Sequence, residues 1–186
     1  MRITVWILAG LIAISNLFAQ DTQKDGGLRA FRDVASVLTS PRCVNCHVPV
    51  GSPPLQGDDS HPHNMQVARG TDGKGDNPTM RCSNCHQDTN VSTLHGPPGA
   101  PGWSMPPAAA PMAWYGHSAG QVCRALKDPQ TNGNRSFSDL IRHVTSENLV
   151  NWGWNPGPGR TLPPLSHQQF VDAFKVWVAA GAPCPE

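Results

Sequence analysis

Arg42-Cys-Val-Asn-Cys-His47 and Arg81-Cys-Ser-Asn-Cys-His86 repeat one six-residue pattern, and each contains C-x-x-C-H. That spacing restricts what the chain can become. Two thiols on one turn of backbone reach the two vinyl groups of a haem and form thioethers, and the adjacent imidazole then lies beneath the ring as proximal iron ligand. Two copies with the same flanking Arg and the same Asn read as one binding unit used twice. The expected cofactors are two covalently attached haem c groups, held by Cys43, Cys46 and His47 and by Cys82, Cys85 and His86. Arg42 and Arg81 are either propionate partners or solvated surface residues.

Four Cys in two C-x-x-C pairs also suit one structural zinc. Against that reading, a His follows both pairs directly and the intervening loop lacks strand patterns. Disulfides within the pairs would account for the thiols and leave the repeated His unexplained.

The N-terminus adds a third argument. Met1-Arg2 is followed by an uncharged apolar stretch from Ile3 to Ile14 and by Leu17-Phe18-Ala19 before polar Gln20-Asp21, the layout of a secretory signal peptide over residues 1–19. The stretch is short for a membrane span. Export, to the periplasm or an equivalent space, is where haem is attached to such motifs. Arg2 is the one charged residue before Gln20, so the remaining chain carries 13 Lys+Arg against 13 Asp+Glu. A neutral chain recruits neither nucleic acid nor anionic lipid.

Residues 20–186 fit a single dihaem domain, divided into a haem-attachment half (20–96), a Pro-rich connector (97–117) and a helical half (118–186). With 18 Gly and 19 Pro in the chain, side chains alone make a thin core, and the loops need something to wrap around. Leu28, Phe31, Val34, Val37 and Leu38 share one face of a helix ended by Pro41. Ser118 with Gln121 forms a capping box ahead of Val122, Cys123 and Leu126. A second helix is expected around Ser138 to Val144, and a third from Ser166 and Gln169 through the Phe170, Phe174, Trp177 stripe to Gly181. No run alternates convincingly, so the fold class is mainly α with long Pro/Gly-rich loops, a small dihaem cytochrome c-like domain with few or no strands. Cys123 and Cys184 remain, and in an oxidising compartment two leftover thiols pair.

Distal iron ligands are open. His61-Pro-His63-Asn-Met65 lies between the two motifs, so His63 and Met65 are candidates; His95 and Met112 flank the connector and are candidates for the second haem. Met105, His117 and His143 rank behind them. The tryptophans read as packing and not as electron stepping-stones, and Asp58, Asp59, Asp72 and Asp76 as turn residues and not as a calcium loop.

Taken together, Arg-Cys-Val-Asn-Cys-His47, His63-Asn-Met65, Val67-Ala-Arg-Gly70, Arg-Cys-Ser-Asn-Cys-His86, Pro97-Pro-Gly-Ala-Pro-Gly-Trp103, Met112-Ala-Trp114, Cys123-Arg-Ala-Leu-Lys-Asp-Pro129, Trp152-Gly-Trp154 and Gly181-Ala-Pro-Cys-Pro185 resemble a family of small bacterial dihaem proteins often labelled as an isoquinoline 1-oxidoreductase subunit. The resemblance implies an electron-accepting role beside a molybdenum-containing hydroxylase, with the substrate oxidised on the larger partner. This chain shows no molybdopterin or iron–sulfur domain of its own.

The leading expectation is a one-electron carrier between a redox partner and a downstream acceptor, an electron-transfer protein or redox subunit more than a catalyst by itself. A dihaem enzyme such as a peroxidase, or a haem-based sensor, is the alternative; either needs one iron with a vacant sixth position, and the peroxidase also needs acid–base groups near it.

Overall fold

The computed structural model describes residues 4–76 and 80–186. Helix α1 runs from Thr4 to Leu38 and α2 from Pro41 to Val44. A two-residue hairpin follows, β1 (Leu55–Gln56) antiparallel to β2 (His61–Pro62). Then come a 3-10 turn at Cys82–Asn84 and five helices: α3 (Ala119–Lys127), α4 (Pro129–Asn132), α5 (Phe137–Ser146), α6 (Asn148–Trp152) and α7 (His167–Ala179). Helix accounts for 41% of residues and strand for 2%, which makes the fold mainly α.

Local signals set most of these boundaries. Ser118, Ser136 and Ser166 each accept the amide three residues on, while Gln121, Asp139 and Gln169 reach back to the cap amide, so α3, α5 and α7 all start on complete capping boxes. Asp128 caps α4 ahead of Pro129, and Gly133 closes that helix in the left-handed region at φ 73°. The Ser136 box was not anticipated from the sequence, and α4 and α6 are too short to leave a periodic stripe.

Helix α1 begins well before Leu28 and passes through Gly26-Gly27 without a break. The signal-peptide reading covers residues 1–19, of which 1–3 lie outside the described residues; from Thr4 the backbone is helical and continuous with the predicted helix. Among the described residues, no helix is long and apolar enough to cross a membrane.

The core lies where α1 crosses α7. A Cβ on Gly27 would sit 2.6 Å from Ala180 Cβ, so the crossing needs a residue without a side chain at this point. Phe31 packs on Trp177 with ring centres 4.8 Å apart, and Trp177 also meets Phe137 and Phe174 edge to face. Val34, Val37, Val122, Leu126, Leu140, Phe170 and Phe174 belong to the same cluster. Truncating a fully buried aromatic such as Trp177 to Ala costs about 3–5 kcal/mol.

Beyond α7, the C-terminal tail is fixed by three contacts. Trp177 Nε1 donates to Pro183 O at 3.0 Å, Lys127 Nζ donates to Ala182 O at 2.9 Å, and Cys184 is disulfide-bonded to Cys123 of α3. Such a bond belongs to an oxidising compartment. The helical half therefore forms a closed body, and the irregular region 45–117 is held against it.

Candidate functional site

Both C-x-x-C-H segments wind into the same turn. The His47 amide donates to Cys43 O at 3.1 Å and the Cys46 amide to the same carbonyl at 3.2 Å; the His86 and Cys85 amides donate to Cys82 O at 2.9 and 3.2 Å. Each turn carries two thiols and one imidazole in a single cluster of backbone, as thioether attachment to one ring requires. None of Cys43, Cys46, Cys82 and Cys85 is disulfide-bonded.

The two histidines are oriented alike. His47 Nδ1 lies 2.8 Å from Met112 O, and His86 Nδ1 lies 2.7 Å from Pro98 O. A carbonyl oxygen only accepts, so Nδ1 carries the proton in both rings and the Nε2 lone pair is left for a metal. Neither Nε2 makes a hydrogen bond among the described residues. Burial lowers the pKa of both imidazoles, that of His47 to about 3, which keeps them neutral and able to ligate.

Each ring also lies against a tryptophan. His47 stacks on Trp114 with centres 3.9 Å apart and planes at 16°, and His86 stacks on Trp103 at 4.5 Å and 2°. Trp152 meets Trp103 edge to face at 4.9 Å and donates Nε1–H to Asn90 Oδ1 at 2.9 Å, extending the second stack into α6. The backbone amides of Trp114 and Tyr115 both donate to His47 O.

All four of these supports, Pro98, Trp103, Met112 and Trp114, come from the Pro-rich connector. A proline-rich stretch has few N–H donors, so its carbonyls are not consumed by a ladder and can accept from side chains. The connector is itself fixed midway, where the Met105 amide donates to Gly73 O at 2.9 Å and the Ala108 amide to Thr71 O at 3.1 Å. One continuous segment thus orients both imidazoles.

The arginines preceding the motifs differ. Arg42 is buried and donates to Asp58 Oδ1 at 2.6 Å and Gly57 O at 3.0 Å, so it is not a solvated surface residue. Arg81 is half-exposed and pairs with Asp72 at 2.9 Å. Asp58 and Asp72 are thereby ion-pair partners, and Asp72 also caps a turn by accepting from the Lys74 amide.

A third arginine, not singled out by the sequence reading, is Arg69. Its guanidinium donates to Val48 O at 2.5 Å, but Nε and Nη1 are buried without a partner, in a residue only 5% exposed. An unpaired buried charge is costly unless something answers it. Arg69 lines a cavity of about 830 Å³ together with His63, Val67, Gly70, Asp72 and Arg81; the four attachment cysteines and the two motif histidines lie outside that lining.

Among the four distal candidates, His63 lies beside His86, with ring centres 6.1 Å apart and planes at 60°. Met65 is 54% exposed. The exposed His95 donates its amide to Pro158 O at 3.2 Å, and its ring lies against the Gly159 turn. Met112 is buried, and its Sδ accepts from Arg135 Nη1 at 3.1 Å while its carbonyl serves His47.

Burial raises the thiol pKa of Cys43 to about 12 and of Cys46 to about 11, and Cys46 is close enough to Cys82 to feel its charge. The two motifs therefore adjoin. Among the described residues, no three His, Cys, Asp or Glu side chains gather as a metal-ion site, so the four thiols are not arranged as the tetrahedron a structural zinc takes.

The residues fit covalent haem on two counts: paired thiols on matching turns and imidazoles fixed in the ligating tautomer. Comparison with protein-family models, curated proteins and solved structures returned no match.

Proposed function

We propose that this chain is an exported dihaem c-type cytochrome that passes electrons singly between a redox partner and a downstream acceptor. The observation that carries the reading is the duplicated support of the motif histidines: Nδ1 on a connector carbonyl, ring face on a connector tryptophan, Nε2 free. Such outer partners fix ring orientation and raise ligand basicity in metal sites. Bound haem supplies a reversible one-electron couple.

What the chain's own residues do follows from that. Cys43 and Cys46, and Cys82 and Cys85, would anchor the groups; His47 and His86 would be the proximal ligands; the buried Arg69 would pair with a carboxylate. A single connector positions both imidazoles, which ties the two sites together as transfer from one to the other would need.

The resemblance described above supports a redox protein as donor, with a molybdenum-containing hydroxylase as the proposed partner. The neutral chain from Gln20 onward favours docking by shape and modest polar contacts, so association should depend weakly on salt. The leader-like residues 1–19 and the Cys123–Cys184 bond support a periplasmic or otherwise exported location.

A spectroelectrochemical titration of the purified exported protein tests the reading. Two reversible one-electron steps without peroxide turnover are expected. Turnover of peroxide at one haem would replace the carrier with an enzyme.

A further inference from the structure

We infer that His63 is the second axial ligand of the iron bound by Cys82, Cys85 and His86, so that this haem is held between two histidines and has no open coordination position. The inference rests on the dihaem reading above and extends it from attachment to ligation.

Ring geometry is the first support. A metal–imidazole nitrogen bond is about 2.0–2.1 Å, and adding the distance from nitrogen to ring centre puts two imidazoles on opposite sides of one metal on the order of 6 Å apart, centre to centre. His63 and His86 are separated by 6.1 Å. Two imidazoles in van der Waals contact through an edge need less room.

Free lone pairs are the second. His86 is committed through Nδ1 to Pro98 O, leaving Nε2. The His63 ring has one hydrogen bond among the described residues, a long one of 3.4 Å from the Met65 amide to Nδ1. Ligation through Nε2 moves the His63 proton to Nδ1, and that weak contact gives way. The exchange loses little because a hydrogen bond at 3.4 Å is near its geometric limit.

His63 is also placed by rigid backbone. Its amide donates to Pro54 O at 2.9 Å, directly after the β1–β2 pairing of Gln56 with His61. The hairpin has no core to cover; what it accomplishes is to hold the chain at His63. The same residue lines the 830 Å³ cavity that Arg69 and Arg81 also line, so an imidazole and two guanidinium-bearing residues border one space.

Met65, two residues on, is the competing ligand and is exposed. The distinction has consequences: a thioether raises the potential relative to imidazole, so a second histidine makes this haem the lower-potential member if the first haem carries methionine.

The test is EPR, optical and carbon monoxide titration of the full exported chain and its His63→Ala and His63→Met variants, each with a haem-per-chain assay. In the unsubstituted protein, two imidazoles at 60° give a low-spin signal with a large maximum g value. His63→Ala should retain two haems per chain, convert one to high spin, bind carbon monoxide when reduced, and return to low spin with added imidazole. His63→Met should restore low spin at a higher potential. A His63→Ala protein with two haems, both still low-spin and unreactive toward carbon monoxide, overturns the assignment. If that variant fails to mature, a methionine-type or high-spin spectrum for both haems of the unsubstituted protein overturns it equally. Absence of haem from the unsubstituted protein would instead sink the dihaem reading beneath it.

Discussion

Replacing both Cys123 and Cys184 with Ala removes the bridge between α3 and the C-terminal tail. The bonded residues are 61 apart in sequence. In the chain-entropy treatment, closing a loop of about 60 residues takes roughly 14 cal/mol/K from the unfolded ensemble, or about 4 kcal/mol at 25 °C. The folded state keeps the Trp177 and Lys127 hydrogen bonds to the tail, so most of the loss should come through the unfolded state. Against a typical stability of about 5–15 kcal/mol this is a large fraction. For a chain of this size it corresponds to roughly 8–16 °C in Tm. Urea denaturation followed by tryptophan fluorescence, comparing the double variant with the parent, measures it, since the other four cysteines are the same in both proteins. A loss below about 1 kcal/mol would show that the bridge does not close the loop in the folded protein, or that the reduced chain is already held compact.

Other changes read different layers of the structure. Ser166→Ala removes the cap of α7 and should cost about 1 kcal/mol in thermal denaturation. Asp58→Ala leaves the Arg42 guanidinium with only the Gly57 carbonyl; because Asp58 is itself 38% exposed, the expected loss is about 2 kcal/mol and not the full cost of a buried pair. Gly73 sits at φ +78° with its missing Cβ directed at the Met105 carbonyl, so Gly73→Ala should destabilise by at least about 1 kcal/mol and disturb the connector, visible as altered haem spectra at unchanged haem content. Cys82→Ala with Cys85→Ala should reduce covalent haem from two per chain to one, counted by the alkaline pyridine assay.

How much could be read from the chain depends on how local each feature is. The helix starts at Ser118 and Ser166 were legible because a capping box spans only four residues, and the α7 stripe because Phe170, Phe174 and Trp177 face one core. The attachment motifs were legible for the same reason, since thiols and imidazole lie on one turn. What supports them was not. Met112 entered the sequence reading as a possible ligand through its sulfur, whereas its backbone carbonyl holds His47 from 65 residues away. Trp103 and Trp114 were expected to pack, but their partners could not be named. Arg69 stood in the sequence only within Val67-Ala-Arg-Gly70, and its burial is a product of the tertiary fold. The hairpin of two-residue strands is too short to leave an alternating pattern, and the length of α1 was hidden by the Gly26-Gly27 pair, which a propensity argument treats as a break. A donor-poor, proline-rich segment following two motifs that need carbonyl acceptors is the sequence cue to this architecture.

The central claim is that both C-x-x-C-H turns carry covalent haem. Intact-mass spectrometry of the purified exported protein under denaturing conditions, followed by peptide mapping, tests it most directly. The account predicts two haems retained per chain, one on the peptide with Cys43 and Cys46 and one on the peptide with Cys82 and Cys85. A mass equal to the bare polypeptide, or to the polypeptide with those cysteines paired as disulfides, would contradict it.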